Sequence, residues 1–455
     1  MKKILAMTLA TAAVVGAYGA GFGIYEAGTR GASMGGAVVG DTGDASSNYY
    51  NPANNAFATN IQVSAGVTAI YPYCDHTVDH RTQTRMSTNW FWVPTFYLTI
   101  PLPGDFALGW GNYTEYGLGT HYSHDWDLAG DTQKTTMRQV TLSPTLSYKV
   151  TDRWSVAAGL RASWIQFSNH KKPYFRDSYN YDTQYGTLSA PDAYHLHSKL
   201  KGDDWGMGWL AGTTFKATDD LSFGLVYRSQ IKHKIKGNFD LKGDVSGTLG
   251  GTLYNVPYGG TILPEVDGAT ALKAMGGSPE FSQKQRAHLP ASAKLTLPRS
   301  ITGGVNYNVT PRYRVGASVT WTEWSSVNTI RFRIPHYGYS QPLKWNDVWR
   351  FGVGMEYDLL DWLAVRLGYA YDMDPSSKHH GTTMIPAGDR HIISTGLGFK
   401  ITENLFVDFG YTFIRMNNDD RIITVKTPEG EKKHYRWSTR NGFSHLPSLS
   451  LRYYF

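Results

Sequence analysis

VTLSPTLSYKV (Val140–Val150), TDR (Thr151–Arg153) and WSVAAGLRASW (Trp154–Trp164) decide how this chain reads. In the first run Val140, Leu142, Leu146, Tyr148 and Val150 alternate with polar or small residues. In the second, Trp154, Val156, Ala158, Leu160, Ala162 and Trp164 do the same. Such period-2 alternation marks strands with one apolar face, and the polar triplet between them marks a tight turn. The pattern recurs at Val63–Tyr71, Trp205–Phe215, Phe223–Tyr227, Val315–Trp321, Trp349–Tyr357, Leu363–Tyr371 and Leu405–Phe413. Less regular strands fit Phe91–Ile100, Phe106–Tyr116, Leu295–Val309 and His391–Lys400, and Pro447–Phe455 is the last. The total is fourteen, and an even number lets a closed antiparallel barrel bring both ends to one side of a membrane. Closure matters because an open sheet edge cannot be satisfied in lipid.

Composition agrees. Mean hydropathy is −0.36, yet aromatics make up 14% of the chain, with 30 Tyr and 14 Trp. A membrane barrel gives this combination, because lipid-facing apolar positions alternate with polar lumenal ones and aromatic girdles mark both interfaces. Short connections at Pro101–Asp105, Thr151–Arg153, Ala217–Asp220, Thr310–Arg312, Leu359–Trp362 and Thr402–Asn404 read as periplasmic turns. Long connections at Pro72–Trp90, Gly117–Met137, Ser168–Asp204, Lys236–Ser292, Ser325–Lys344, Met373–Arg390 and Asn417–His445 read as extracellular loops. Leu449, Leu451, Tyr453 and the terminal Phe455 share one face, which resembles the signal read by the barrel assembly machinery.

Met1–Gly19 reads as a secretory leader, with Lys2 and Lys3 before an apolar run and cleavage expected before Ala20. No later segment is apolar for the roughly 18 residues that a transmembrane helix needs. Cys74 is the single cysteine, so no intrachain disulfide or lipid-anchoring cysteine is expected and it reads as an unpaired loop thiol. Net charge is +7 and falls to +5 without the leader. The charges are interspersed, so nucleic acid is not an expected partner, although a mildly basic rim suits anionic lipid headgroups or carboxylates.

Residues 20–60 fit neither leader nor strand. Eight glycines fall in this stretch beside four charges, Glu26, Arg30, Asp41 and Asp44. Glycine of this density favours turns and close backbone approach, and the stretch is too apolar for a solvated tail. A compact plug inside a container would explain it.

Several local patterns resemble the FadL/TodX family of outer-membrane transporters for long-chain fatty acids and hydrocarbons. They are Ala20-Gly21-Phe22 with Glu26, Asn51-Pro52-Ala53, Tyr116-Gly117-Leu118, Trp205-Gly206 with Gly208-Trp209 and Gly212, Tyr227-Arg228-Ser229 with Gly237, Leu297-Pro298, Trp321 with Trp324, Asp347 with Arg350, and Pro386 with Asp389-Arg390. Their order and spacing carry the resemblance over the whole mature chain. It implies an all-β fold, a fourteen-stranded antiparallel transmembrane β-barrel spanning 61–455, closed from within by a hatch at 20–60 that carries the Asn51-Pro52-Ala53 motif. It also implies a kink in strand three at Tyr116, Gly117 and Leu118, where glycine would tolerate unusual backbone angles, and a lateral opening beside it. Phe22 would line the pocket, while Lys171, Lys172 and Lys344 would contact a substrate carboxylate.

The expected function is passive uptake of long-chain fatty acids or related hydrophobic molecules. Monoaromatic or alkane uptake by the same fold is the first alternative; an outer-membrane lipid hydrolase or a barrel adhesin is the second. The expected partners are the hydrophobic substrate, outer-membrane lipid and lipopolysaccharide, and the assembly machinery, for a monomer without cofactor or metal. Gly31-Ala32-Ser33-Met34-Gly35 matches a nucleophile-elbow pattern, but no strand precedes it and no α/β pattern follows. The pairs His195/His197 and His379/His380 lie in expected loops without a helical carboxylate–histidine pattern. Asp203-Asp204, Asp219-Asp220 and Asp419-Asp420 read as solvated acids.

Overall fold

A computed structural model describes residues 21–455 except 42, 81, 88–89, 124–125, 173, 259, 279, 336, 387 and 427–431. The expected leader and cleavage point lie outside the described residues. All fourteen expected strands form. They are β1 Gln62–Val78, β2 Phe91–Leu102, β3 Phe106–Tyr113 resuming at Leu118–His121, β4 Lys134–Thr151, β5 Trp154–Lys171, β6 His197–Lys216 and β7 Leu221–Arg228 resuming at Ile231–Thr248. They continue with β8 Glu280–Leu297 resuming at Ser300–Thr310, β9 Tyr313–Thr322, β10 Val348–Leu360, β11 Leu363–Asp372, β12 Arg390–Lys400, β13 Leu405–Met416 and β14 Lys432–Tyr454. Each strand pairs antiparallel with the next, and β14 returns to β1 from Gln62↔Tyr454 to Val78↔Trp437. The sheet is closed, which is the condition for a β-structure in lipid.

The short turns share a chemical device. The hydroxyls of Thr151, Thr218, Thr310 and Thr402 each accept a backbone N–H two residues on, from Arg153, Asp220, Arg312 and Asn404. Threonine thus closes four of the turns locally. Outward positions carry the lipid-facing surface. Leu160, Trp205, Met207, Trp209 and Phe215 are exposed on neighbouring strands β5 and β6, as alternation requires.

Much of what reads as extracellular loop is strand. β7 and β8 pair without interruption from Ile231↔Leu297 to Thr248↔Glu280, and from Lys236↔Ser292 onward this ladder lies inside the stretch expected as one long loop. Further hairpins form from Thr252–Tyr258 with Thr261–Asp267, and from Thr329–Ile334 with Tyr337–Pro342. Above the apolar band the outer face carries exposed charged side chains, such as Lys236 and Arg331, so these strands lack an apolar outer side. Cys74 is likewise no loop thiol. It lies within β1, fully buried in a cluster with Tyr122, Trp126, Met416 and Trp437.

Gly21–Phe57 threads the lumen. It forms short helical turns at Thr29–Ser33, Ser47–Tyr50 and Pro52–Phe57, and almost every described residue of it is buried. Inward-facing wall glycines allow this. A Cβ on Gly354 would stand 2.2 Å from the Met34 carbonyl oxygen, and one on Gly109 would stand 1.9 Å from Asn48 Oδ1.

Candidate functional site

The wall is broken at one place in β3. Between the pairs Tyr113↔Thr141 and Leu118↔Met137, the four residues Thr114–Gly117 stand against the three residues Arg138–Val140. One extra residue makes a bulge and bends the strand. On the other side, the β2–β3 ladder ends at Phe96↔Asn112, whereas β1 follows β2 to Ile70↔Phe91. Phe91–Thr95 therefore has a strand partner on one edge only, among the described residues. Above the break, Ser87 donates its N–H to His121 O at 2.8 Å. A groove of about 490 Å³ opens here, lined by Phe91, Gly119 and Thr120, with Lys134, Arg138 and Lys201 on its rim.

The backbone groups freed by the bend are taken up from inside. Gly117 N–H donates to Phe22 O at 2.9 Å, and Ile24 N–H donates to Glu115 O at 2.8 Å. Gly23 and Tyr116 form an isolated antiparallel bridge. Gly117 has no positive φ, so the bend comes from the extra residue and not from a special glycine conformation. Glu115 is held by Arg161 at 2.6 Å and by the Thr141 hydroxyl at 3.0 Å. Gln139 accepts the Glu115 N–H at 2.9 Å. Tyr116 OH reaches Pro298 O at 3.3 Å, where β8 is itself interrupted.

Phe22 sits at the foot of an apolar interior. Its ring meets Trp324 edge-on at 4.9 Å, Trp345 at 5.6 Å and Tyr116 at 5.7 Å, within the favourable range for aromatic pairs. Above it the lumenal positions are apolar on strand after strand. They include Met137, Ile165, Phe167, Leu200, Ile235, Leu295, Ile330 and Phe332, with Met384 and Ile385 entering from the β11–β12 connection. The usual polar-in pattern of a membrane barrel is inverted at this height.

The N-terminal segment is fixed by polar contacts. Arg228 and Arg350 donate to the carbonyls of Tyr49 and Gly35, and Arg390 lies 3.4 Å from Gly23 O. Arg30 pairs with Asp41 at 2.6 Å and with Glu356 of β10 at 2.9 Å. Glu356 in turn meets Arg314 and Arg366, and Arg366 leads through Asp408 to Arg452. A row of alternating charge thus runs along the inner wall. Asn51 accepts the Ala53 N–H, capping the helical turn that Pro52 begins, and donates to Thr213 O and Thr214 Oγ1 of β6. Ala53 O accepts from the Ser155 hydroxyl at 2.8 Å. Between this segment and the wall lies a cavity of about 50 Å³ lined by Tyr25, Tyr49, Glu115, Arg228 and Arg350. Burial pushes the Tyr25 and Tyr49 phenols up, so both remain neutral donors.

The expected lysines lie apart from Phe22. Lys171 ends β5 and lines a groove shared with His197 and Lys242; Lys172 follows, its N–H donating to Ala129 O at 2.8 Å. Lys344 is exposed between the buried Leu343 and Trp345. Asp204 and Asp420 are more than solvated acids: Asp204 faces His233 at 3.5 Å, and Asp420 pairs with Arg436 and Arg440. Sequence reading missed Glu115, Arg161 and Trp345 as site residues, although Glu115 adjoins the Tyr116-Gly117 motif.

Known proteins share this architecture. A long-chain fatty acid transport protein of Escherichia coli O6:H1 is 26% identical, with 91% of this chain and 90% of that one covered. Outer membrane protein P1 of Haemophilus influenzae is 24% identical with full coverage of both. A crystal structure of a Pseudomonas aeruginosa FadL homologue superposes with a TM-score of 0.74 at 22% identity, covering 95% of this chain and 99% of that chain. The Pseudomonas putida toluene transporter TodX superposes at 0.67 and 17% identity, covering 96% and 99%. The family model described as outer membrane protein transport protein (OMPP1/FadL/TodX) matches residues 9–455, and the chain belongs to that family of outer membrane transport proteins.

Proposed function

We propose that this protein is a passive conduit for long-chain fatty acids or related hydrophobic molecules, with Gly21–Phe57 as its hatch and lateral exit through the break in β3. The carrying observation is the apolar lumen that ends on Phe22 directly beside the bulge Thr114–Gly117. Each buried methylene contributes about 0.8 kcal/mol, so an alkyl chain is drawn from water into this interior. Tight binding alone would trap it; release needs a path of comparable apolarity, and the bilayer beside the open edge of β2 supplies one. Movement of the Phe22–Ile24 stretch would free the bulge and open that path. Lys171 and Lys172 would make the first contact with a carboxylate, and Lys344, exposed between Leu343 and Trp345, would add a further cation.

The names of the relatives support both fatty acids and toluene as cargo classes. The aromatic box of Phe22, Tyr116, Trp324 and Trp345 favours keeping monoaromatic or alkane cargo as the second reading. No hydrolytic role is proposed. Ser33, in the elbow-like pattern, is buried and its hydroxyl donates to Thr29 O at 2.8 Å, which supports a packing role. The protein would act as a monomer placed in the membrane by the assembly machinery reading Phe455. Uptake of labelled oleate and of labelled toluene by deleted and complemented cells tests the proposal. Loss of either on deletion supports it, and unchanged uptake of both overturns it.

A further inference from the structure

At the height where the lumen is apolar, the outer wall is basic. On β7, Ile231 and Ile235 point inward and Lys232, Lys234 and Lys236 outward; on β8, Ala293 and Leu295 point inward and Lys294 outward. The strand Thr329–Ile334 continues this, with Phe332 inward and Arg331 and Arg333 outward. The register sets like charges directly opposite one another: Lys234 faces Lys294, and Lys294 faces Arg331. All three are exposed. Like charges at directly opposed positions of a sheet are destabilising, and here two such contacts share one lysine.

The neighbouring acids leave this row uncompensated. Asp203 lies opposite Lys236, and Asp204 accepts the Lys234 backbone N–H at 2.7 Å while facing His233. No ion pair reaches the side chains of Lys234, Lys294 or Arg331 among the described residues. The row's place names its counter-charge. Asp203 is the next outward position of β6 beyond Trp205, and below Trp205 come the exposed Met207 and Trp209. Aromatic residues of this kind sit at headgroup level, on the side of the long connections and so in the outer leaflet. The row spans two inter-strand spacings, about 10 Å, which suits a headgroup carrying more than one phosphate.

We propose that Lys234, Lys294 and Arg331 form a binding site for the phosphates of the outer-leaflet glycolipid, lipopolysaccharide, on the outside of the barrel. The like-charge row is then balanced in the membrane, where multivalent lipid phosphate is the nearest anion.

The test uses the full barrel purified in neutral detergent. Binding is measured for rough lipopolysaccharide, for its enzymatically dephosphorylated form and for inorganic phosphate, with wild type and with the Lys234→Gln, Lys294→Gln, Arg331→Gln triple variant. Wild type is expected to bind the phosphorylated glycolipid at least tenfold more tightly than either other probe, and the triple variant to lose at least tenfold. Equal binding by the triple variant, or of the dephosphorylated form, overturns the site; inorganic phosphate binding as tightly reduces it to a simple anion site and also overturns the proposal. Should the triple variant fail to fold, Lys294→Gln alone decides. It should unfold at a higher temperature than wild type in detergent and at a lower one with lipopolysaccharide; an unchanged order overturns the proposal. Oleate binding inside the barrel should stay within twofold in these variants, which separates this site from the transport reading.

Discussion

Gly117 donates its backbone N–H to the carbonyl of Phe22 at 2.9 Å, across 95 residues of sequence. This bond joins the buried N-terminal segment to the bulge in β3, so that segment also satisfies the backbone that the bend exposes. An unpaired group at membrane depth costs several kcal/mol, which ties the position of Phe22 to the shape of β3.

Deleting Gly117 should heal the wall. Three residues would then face Arg138–Val140, and strict alternation would keep Glu115 inward beside Arg161 and Leu118 inward opposite Met137. β3 could pair with Phe91–Thr95. The expected outcome is a barrel of unchanged heat-modifiable mobility on gels whose labelled-oleate uptake falls to the background of the deleted strain. Uptake at the wild-type rate in a folded variant would reject lateral exit.

Phe22→Ala removes the ring that Trp324, Tyr116 and Trp345 surround. A buried phenylalanine truncated in this way costs about 3–5 kcal/mol where the site cannot collapse. Here the loss should fall mainly on the N-terminal segment, because the barrel ladders are untouched. Oleate affinity, followed by tryptophan fluorescence, should weaken about tenfold if Phe22 supplies roughly 1.5 kcal/mol of apolar contact. Unaltered affinity would remove Phe22 from the pocket.

Arg30→Ala breaks the link from the N-terminal segment to Glu356. Breaking a buried pair by removing one partner costs about 3–5 kcal/mol. Glu356 keeps Arg314 and Arg366, so the wall should survive while the segment loosens. Faster hydrogen exchange confined to residues 21–57, and greater cell sensitivity to large polar antibiotics, are expected. Gly354→Val should act on the same segment by pressing on Met34 O, with an overpacking cost of about 1–3 kcal/mol. Exchange unchanged in both variants would show that neither contact anchors it.

Lys171→Ala with Lys172→Ala should weaken oleate binding about threefold to fivefold, as exposed ion pairs contribute up to about 1 kcal/mol. Methyl oleate lacks the carboxylate and should bind the variant and wild type alike. An equal loss for acid and ester would assign these lysines to loop structure.

The strand set was legible because lipid on one side and a crowded lumen on the other force strict alternation, as in Trp154–Trp164. The short turns were legible too, although the repeated threonines at Thr151, Thr218, Thr310 and Thr402 went unread as their closing device. The paired stretch from Lys236 to Thr248 reads as loop, since it rises past the apolar band and carries exposed lysines such as Lys236 and Lys242 where lipid-facing strands carry leucines. Lys344 drew attention as a cation near the family's position, yet the backbone there turns its side chain to solvent and gives the lumen to Leu343 and Trp345.

By itself the sequence determined a closed fourteen-stranded barrel, the alternation of its short and long connections, and a glycine-rich segment too apolar to live in water. Those follow from local rules: period, turn chemistry and composition. Only the tertiary structure decided that Phe22, Tyr116, Trp324 and Trp345 form one box, that Glu115 is clamped by Arg161, and that Lys234, Lys294 and Arg331 stand in a row. Each depends on strand register and on the packing of distant segments, which no local pattern encodes, because a shift of one residue turns every side chain to the other face of the wall.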